Sequence, residues 1–185
     1  LDATRTAVKQ ILAGMSDADW RRRSANPAWT VGEVLAHLTL SLERVPREVE
    51  CARRGRGMYN LPAILAGPVN MLATRLLARR YTRRTIAQQY DAAYAAALRT
   101  LEGVGDDEWR LGARFFGEGF KDIEALFRGQ ARHLAEHGRD IWAVLPREPG
   151  DVPGSESAVV SGVGTSPRQG GEPRHEPARR GSSGR

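Results

Sequence analysis

The sequence predicts an all-α protein: a four-helix bundle with a long crossover between helices two and three, followed by a disordered C-terminal tail. Three observations predict it. Apolar residues recur at helical spacing in four segments of residues 1–145. No segment shows a convincing strand alternation, although Arg114-Phe115-Phe116 is ambiguous. A faint repeat also divides the chain into two helix pairs. Gly14-Met-Ser-Asp-Ala-Asp-Trp20 follows the first helix and Gly103-Val-Gly-Asp-Asp-Glu-Trp109 follows the third. In both, Gly ends a helix, acids favour the start of a short helical turn, and Trp plugs that turn onto the bundle.

The first helix spans about Ala3 to Met15, with Val8, Ile11, Leu12 and Met15 on one face and Asp2 as a cap. The second has the clearest start. Thr30 and Glu33 form a capping box, and Trp29 and Val34 a hydrophobic staple. Its stripe runs Val31, Val34, Leu35, Leu38, Leu42, Val45 and Val49, with Pro46 inside as an expected kink and Gly55 as the stop. The third helix spans about Thr82 to Glu102, with Ile86, Tyr90, Ala93, Tyr94, Ala97 and Leu101 inward and Gly103 as the stop. The fourth spans about Lys121 to Leu145, with Ile123, Leu126, Phe127, Leu134, Ile141, Val144 and Leu145 as its stripe, and Pro146 stops it.

Residues 57–81 join the second and third helices. Pro62, Gly67 and Pro68 are followed by Val69, Met71, Leu72, Leu76 and Leu77 in helical register, which suggests a short helix in the crossover. Its apolar face and rim of Arg would cover the bundle, line a pocket for an anionic ligand, or touch a membrane surface. From residue 146 onward Gly, Pro, Ser and Arg dominate. That stretch cannot bury enough apolar surface to offset ordering, so residues 1–145 are expected to form the domain and 146–185 a disordered tail rather than a further folded domain.

Composition narrows the function. The net charge is +6, carried almost wholly by Arg, since Lys9 and Lys121 are the only lysines. With the many Ala and Gly, that skew fits a GC-rich bacterial coding bias better than selection for nucleic acid. One basic segment stands out: no acidic residue lies between Cys51 and Arg84, a stretch that holds Arg53, Arg54, Arg56, Arg75, Arg79, Arg80, Arg83 and Arg84. A single cysteine, Cys51, precludes an internal disulfide and suggests a reducing cytoplasm. Cys51 is an inert helix cysteine, or a thiol with its pKa lowered by Arg53 and Arg54. Asp2, Arg5 and Lys9 interrupt the first segment, so no secretory signal is expected. No apolar run is long enough to span a bilayer.

The chemistry rests on histidines, of which there are four. His175 lies in the tail, where no stable ligand is expected. His133 and His137 lie four apart on the fourth helix, one ring above the other, roughly 80° and 40° from its apolar stripe. Both point inward, where unpartnered imidazoles are costly and a metal ion would satisfy both. The spacing also suits two hydrogen-bonded or exposed histidines. His37 lies roughly 120° from the centre of the second helix's stripe. It flanks the core, as a ligand at a pocket mouth or as a surface residue.

Trp29-Thr30-Val31-Gly32-Glu33-Val34-Leu35-Ala36-His37-Leu38, the Asp-Ala-Asp-Trp20 turn before it, and Gln130-Ala131-Arg132-His133-Leu134-Ala135-Glu136-His137 resemble motifs of the DinB-like superfamily, in that order along the chain. That superfamily includes thiol-dependent S-transferases and the metal-binding domain of mycothiol-dependent maleylpyruvate isomerase. The resemblance covers roughly residues 1–145. It implies a four-helix bundle whose His37, His133 and His137 hold a divalent metal, zinc or nickel. It further implies a low-molecular-weight thiol cosubstrate and a small electrophilic substrate, as in detoxification or stress response. The isomerase branch has a carboxylate and a His on its last helix where this chain has two His, and it has an extra C-terminal domain. These departures favour the broader group over isomerase activity. Three neutral ligands leave the metal its full charge, which favours ionisation of a water or thiol in an open position. The expected function is a metal-dependent thiol S-transferase or hydrolase, with catalytic residues unknown. The alternatives are a non-catalytic metal- or ligand-binding bundle and, less favoured, a basic nucleic-acid-binding protein. The Arg-rich crossover would hold a carboxylate of the thiol or substrate. Asp140 or Glu136 would orient an imidazole, with a solvated helix face the favoured role for Glu136. A homodimer is an open expectation.

Overall fold

A computed structural model describes residues 1–58, 62–115 and 119–145. The expected tail from residue 146 lies outside the described residues. Six helices and one two-stranded hairpin make up the described regular structure: α1 (Asp2–Ala13), α2 (Asp17–Arg21), α3 (Val31–Arg53), α4 (Ala63–Ala78), α5 (Arg83–Glu102), β1 (Gly112–Arg114), β2 (Phe120–Asp122) and α6 (Ile123–Trp142). The fold is thus mostly helical. Among the described residues no helix is long and apolar enough to cross a membrane.

A side chain caps the start of α2, α3, α5 and α6, whereas α4 starts without one and Asp2, expected as a cap, lies inside an uncapped α1. Thr30 Oγ1 accepts from Glu33 N at 3.2 Å, and Glu33 Oε2 accepts from Thr30 N at 2.8 Å. This is the reciprocal box expected there, and it satisfies two amide donors that a helix start leaves unpaired. Ser16 with Asp19 caps α2 in the same way, and Thr82 with Thr85 caps α5. α3 runs through Pro46 as one element.

α3 is the centre of the fold. It packs on α5 and α6, and α1 packs on the same two helices from the other side. Val8, Ile11, Leu35, Leu42, Val45, Ile86, Ala97, Ile123 and Ile141 share one continuous core and are all at most 1% exposed. Each was expected to face inward from its helical spacing.

Gly32 shows how two short motifs join. A Cβ on Gly32 would stand 2.4 Å from the Trp20 ring. The indole of the α2 turn therefore lies flat against the first turn of α3, and only glycine leaves room for it. The second copy of the repeat does not form a helix. Residues 106–110 make turns, with Trp109 beside Phe127 at 6.4 Å between ring centroids.

Two elements differ from expectation. The fourth helix begins at Ile123, because Phe120–Asp122 pairs antiparallel with Gly112–Arg114. Three-residue strands are too short to show alternation, and their pairing depends on a contact between separate segments. Asp122 ends the strand and caps α6, its Oδ1 accepting from Ala125 N at 2.8 Å. The crossover helix is also longer than expected, at 16 residues. It packs on α3, with Thr74 and Ala78 buried.

Candidate metal centre

His37 lies on the second turn of α3, whose start Thr30 and Glu33 fix. His133 and His137 lie on α6, whose start the hairpin and Asp122 fix. The packing of α6 on α3 brings the three rings together, with centroids 4.7 Å (His37–His133), 5.0 Å (His37–His137) and 4.8 Å (His133–His137) apart. One ring nitrogen from each lies within 4.8 Å of the other two. His37, which the sequence left between ligand and surface, is 5% exposed. The packing of both α4 and α6 on α3 puts its flank inside. His133 and His137 are half-buried.

The backs of two rings are held. Thr74 Oγ1 of α4 is 3.3 Å from His37 Nδ1, and Asp140 Oδ2 is 3.2 Å from His137 Nδ1. An N–H at Nδ1 donating to these oxygens leaves the Nε2 lone pair of each ring free to face the third histidine. His37 Nε2 and His133 Nε2 are 2.8 Å apart. Trp29 walls the cluster, its ring centroid 4.7 Å from that of His37 and 5.7 Å from that of His137.

Electrostatics keep two of these rings neutral. Burial, then the nearby His133, His137 and Arg44, push the His37 pKa down to about 2. Burial, then His137, Arg44 and Lys121, push that of His133 down to about 4. A neutral imidazole is the form that binds a metal. Ligand nitrogens of one tetrahedral zinc stand roughly 3.3 Å apart, a spacing the three rings straddle. The donor set therefore fits a divalent ion, with small ring movements.

Beside the rings opens a cavity of about 310 Å³. Ser41 and Arg44 of α3, Asn70 of α4, and Lys121, Gln130 and Arg132 line it with the histidines. Gln130 Oε1 is 3.5 Å from Ser41 Oγ. The cations of the lining are thus Arg44, Lys121 and Arg132, and not the crossover arginines expected from the sequence. Arg75 donates twice to Ala28 O, at 2.6 and 3.2 Å, and Arg83 pairs with Asp17 at 2.6 Å. Arg53 and Arg54, the cations through which a lowered Cys51 pKa would have come, pair instead with Glu108 and Glu50.

Sequence reasoning placed the three histidines and named Asp140 as a positioning residue. Glu136 is exposed at the cavity wall, within 4.0 Å of Arg132, in keeping with the solvated helix face favoured for it. Thr74 and the role of Trp29 were missed. Trp29 read as a staple residue, and the rotation of α4 about its axis has no signature in the sequence.

A helical bundle that gathers three imidazoles from two helices at the wall of a polar cavity defines the class of protein. Within it, the chain belongs to the DinB superfamily, whose family model matches residues 1–141. Among solved structures it is similar to the mycothiol-dependent maleylpyruvate isomerase and to a histidine-to-alanine mutant of that enzyme. Each aligns with a TM-score of 0.62 at 12% identity, covering 78% of this chain and 61% of the other. At that identity the likeness is one of fold. The chain spans under two thirds of the length of those proteins. No curated protein matches significantly.

Proposed function

We propose that His37, His133 and His137 hold one divalent metal ion, zinc or nickel, and that the protein is a metal-dependent thiol S-transferase acting on small electrophiles in detoxification or stress response. The observation that carries this is the convergence of three ring nitrogens within 4.8 Å, two of them held from behind by Thr74 and Asp140. Bound there by three neutral ligands, the ion supplies Lewis-acid charge that lowers the pKa of a thiol or water. The protein's own residues do the rest. Thr74 and Asp140 fix the ring orientations. Trp29 covers His37 and His137 on one side. Arg44, Lys121 and Arg132 outnumber Glu48 and Glu136 on the cavity wall, where Arg44 pairs with Glu48 at 3.5 Å and Arg132 with Glu136 at 4.0 Å, so the lining keeps a small cationic excess that suits a carboxylate on the thiol or substrate. A low-molecular-weight thiol such as mycothiol is the proposed cosubstrate, because the structural neighbours carry that dependence in their names. Hydrolysis would use the same centre with water as nucleophile. The single cysteine favours a reducing cytoplasm.

Non-catalytic binding of a metal or ligand is the second reading, and the same cavity supports it. Nucleic-acid binding has less support, because Arg53, Arg54, Arg75 and Arg83 of the basic segment are held within the molecule. The test is elemental analysis of purified protein, with His37→Ala and His133→Ala beside it, and thiol consumption measured over a panel of electrophiles. One equivalent of metal, lost in both variants together with thiol consumption, is expected. Metal content unchanged in both variants would overturn the site. Bound metal without thiol turnover would leave the binding protein and remove the transferase.

A further inference from the structure

The crossover helix α4 buries Thr74 and Ala78 against the bundle and turns an apolar side outward. Ile64, Leu65, Val69, Leu72 and Leu76 are 83%, 49%, 41%, 58% and 51% exposed. At about 100° per residue these five and the exposed Pro68 span roughly 140° of arc, which leaves out Thr74 and Ala78. One polar residue of α4 falls on that arc, Arg75, and it is turned away, since its guanidinium donates twice to Ala28 O. Asn70 lies off the arc, at the cavity wall. Contiguous apolar surface of this kind marks a contact with a second apolar phase.

We propose that this face seats on an anionic bilayer, with α4 lying in the plane of the lipid surface. No helix among the described residues is long and apolar enough to cross a membrane, but a helix that lies on one needs only a broad apolar face with cations at its edge. Two observations select lipid over a protein partner. A specific protein interface carries about one hydrogen bond per 100–200 Å². With Arg75 turned away, the outward arc from Ile64 to Leu76 presents no side-chain donor or acceptor, and hydrocarbon asks for none. The second observation is charge. Arg79 and Arg80 stand exposed directly after the helix, and Arg79 continues the arc within roughly 20° of Leu72. Residues 51–90 hold no acid that would repel lipid phosphates. Guanidinium groups at that end of the face stand level with the headgroups while their stems follow the apolar edge. The face is separate from the histidine cluster, so this reading and that of the metal centre fail independently.

Flotation of the full chain with lipid vesicles tests this. With equal parts of phosphatidylcholine and phosphatidylglycerol the chain is expected to float, and with phosphatidylcholine alone to remain in solution. Ile64→Asn with Leu72→Asn, at exposed positions that leave the core intact, should weaken binding at least about tenfold. Arg79→Gln with Arg80→Gln should do the same, since each basic residue near such a surface is worth about fivefold in affinity. A polarity-sensitive dye attached in the Leu72→Cys variant, in a Cys51→Ala background, should shift to the blue with the mixed vesicles. No flotation with the mixed vesicles would overturn the proposal. So would flotation that either double variant keeps in full, or a dye that does not shift, which leaves the face in water. Self-association that Ile64→Asn with Leu72→Asn abolishes, without flotation, would overturn it in favour of a protein partner.

Discussion

At the scale of single residues, the candidate centre depends on groups that touch a histidine from behind and on one glycine far from it. Thr74 and Asp140 do not converge with the three ring nitrogens, yet they decide which nitrogen of two rings faces the others. Gly32 acts one step further out. It lets Trp20 lie against the first turn of α3, five residues before His37. Gly32→Ala gains helix propensity of up to about 1 kcal/mol but drives a methyl into the indole, an overpacking cost of about 1–3 kcal/mol. The variant is expected to lose about 1 kcal/mol in urea denaturation. In a Trp20→Ala background the same substitution should cost nothing, because the clash has gone. An equal loss in both backgrounds would assign the cost to the backbone instead.

At the scale of elements, α1 is held to α5 by an ionic clasp beside the core. Arg5 Nε is 2.7 Å from Asp91 Oδ1, and Lys9 Nζ is 3.0 Å from Oδ2. Arg5 also stands over the Tyr94 ring, 4.8 Å from its centroid, and the Tyr94 hydroxyl donates to Asp2. The hydrogen bond from Arg5, aided by Lys9, holds the Asp91 carboxyl below its ordinary pKa. A carboxylate depressed in the folded state stabilises fully above its unfolded pKa, near 3.9, and loses that contribution as pH falls through the folded value. These groups are partly exposed, so screening keeps the pair weak. Asp91→Asn should therefore be slightly less stable than the parent at neutral pH. The gap should narrow as the pH is taken below the ordinary carboxylate range. Paired urea titrations at neutral and acid pH check it, and a gap independent of pH would refute the clasp.

At the scale of the whole molecule, the candidate centre links α3 to α6, with α4 behind it. An ion bound only by the folded state stabilises the whole chain through mass action. At a free concentration a hundredfold above its dissociation constant, the gain is about 2.7 kcal/mol. Thermal unfolding is expected to rise by several degrees when zinc or nickel is added and to return when a chelator removes it. His133→Ala should lack the increment while keeping the helical signal. A metal-induced rise retained in that variant would place the ion elsewhere.

The sequence by itself determined what is local. It determined the start of α3 at Thr30, the inward stripes, the stop near Gly103 and the four-residue spacing of His133 and His137, because caps and helical periodicity involve neighbours along the chain. It also determined family membership, through motifs in two stretches of the chain that lie far apart in sequence. Tertiary structure decided the rest: the burial of His37, the meeting of its ring with His133, the hairpin that delays α6 to Ile123, and Thr74 behind the ring. It also decided that the cavity's cations come from Arg44, Lys121 and Arg132. The physical reason is the same in each case. A helical pattern fixes which side chains share a face, but the rotation and tilt of one helix against another follow only from packing the whole core.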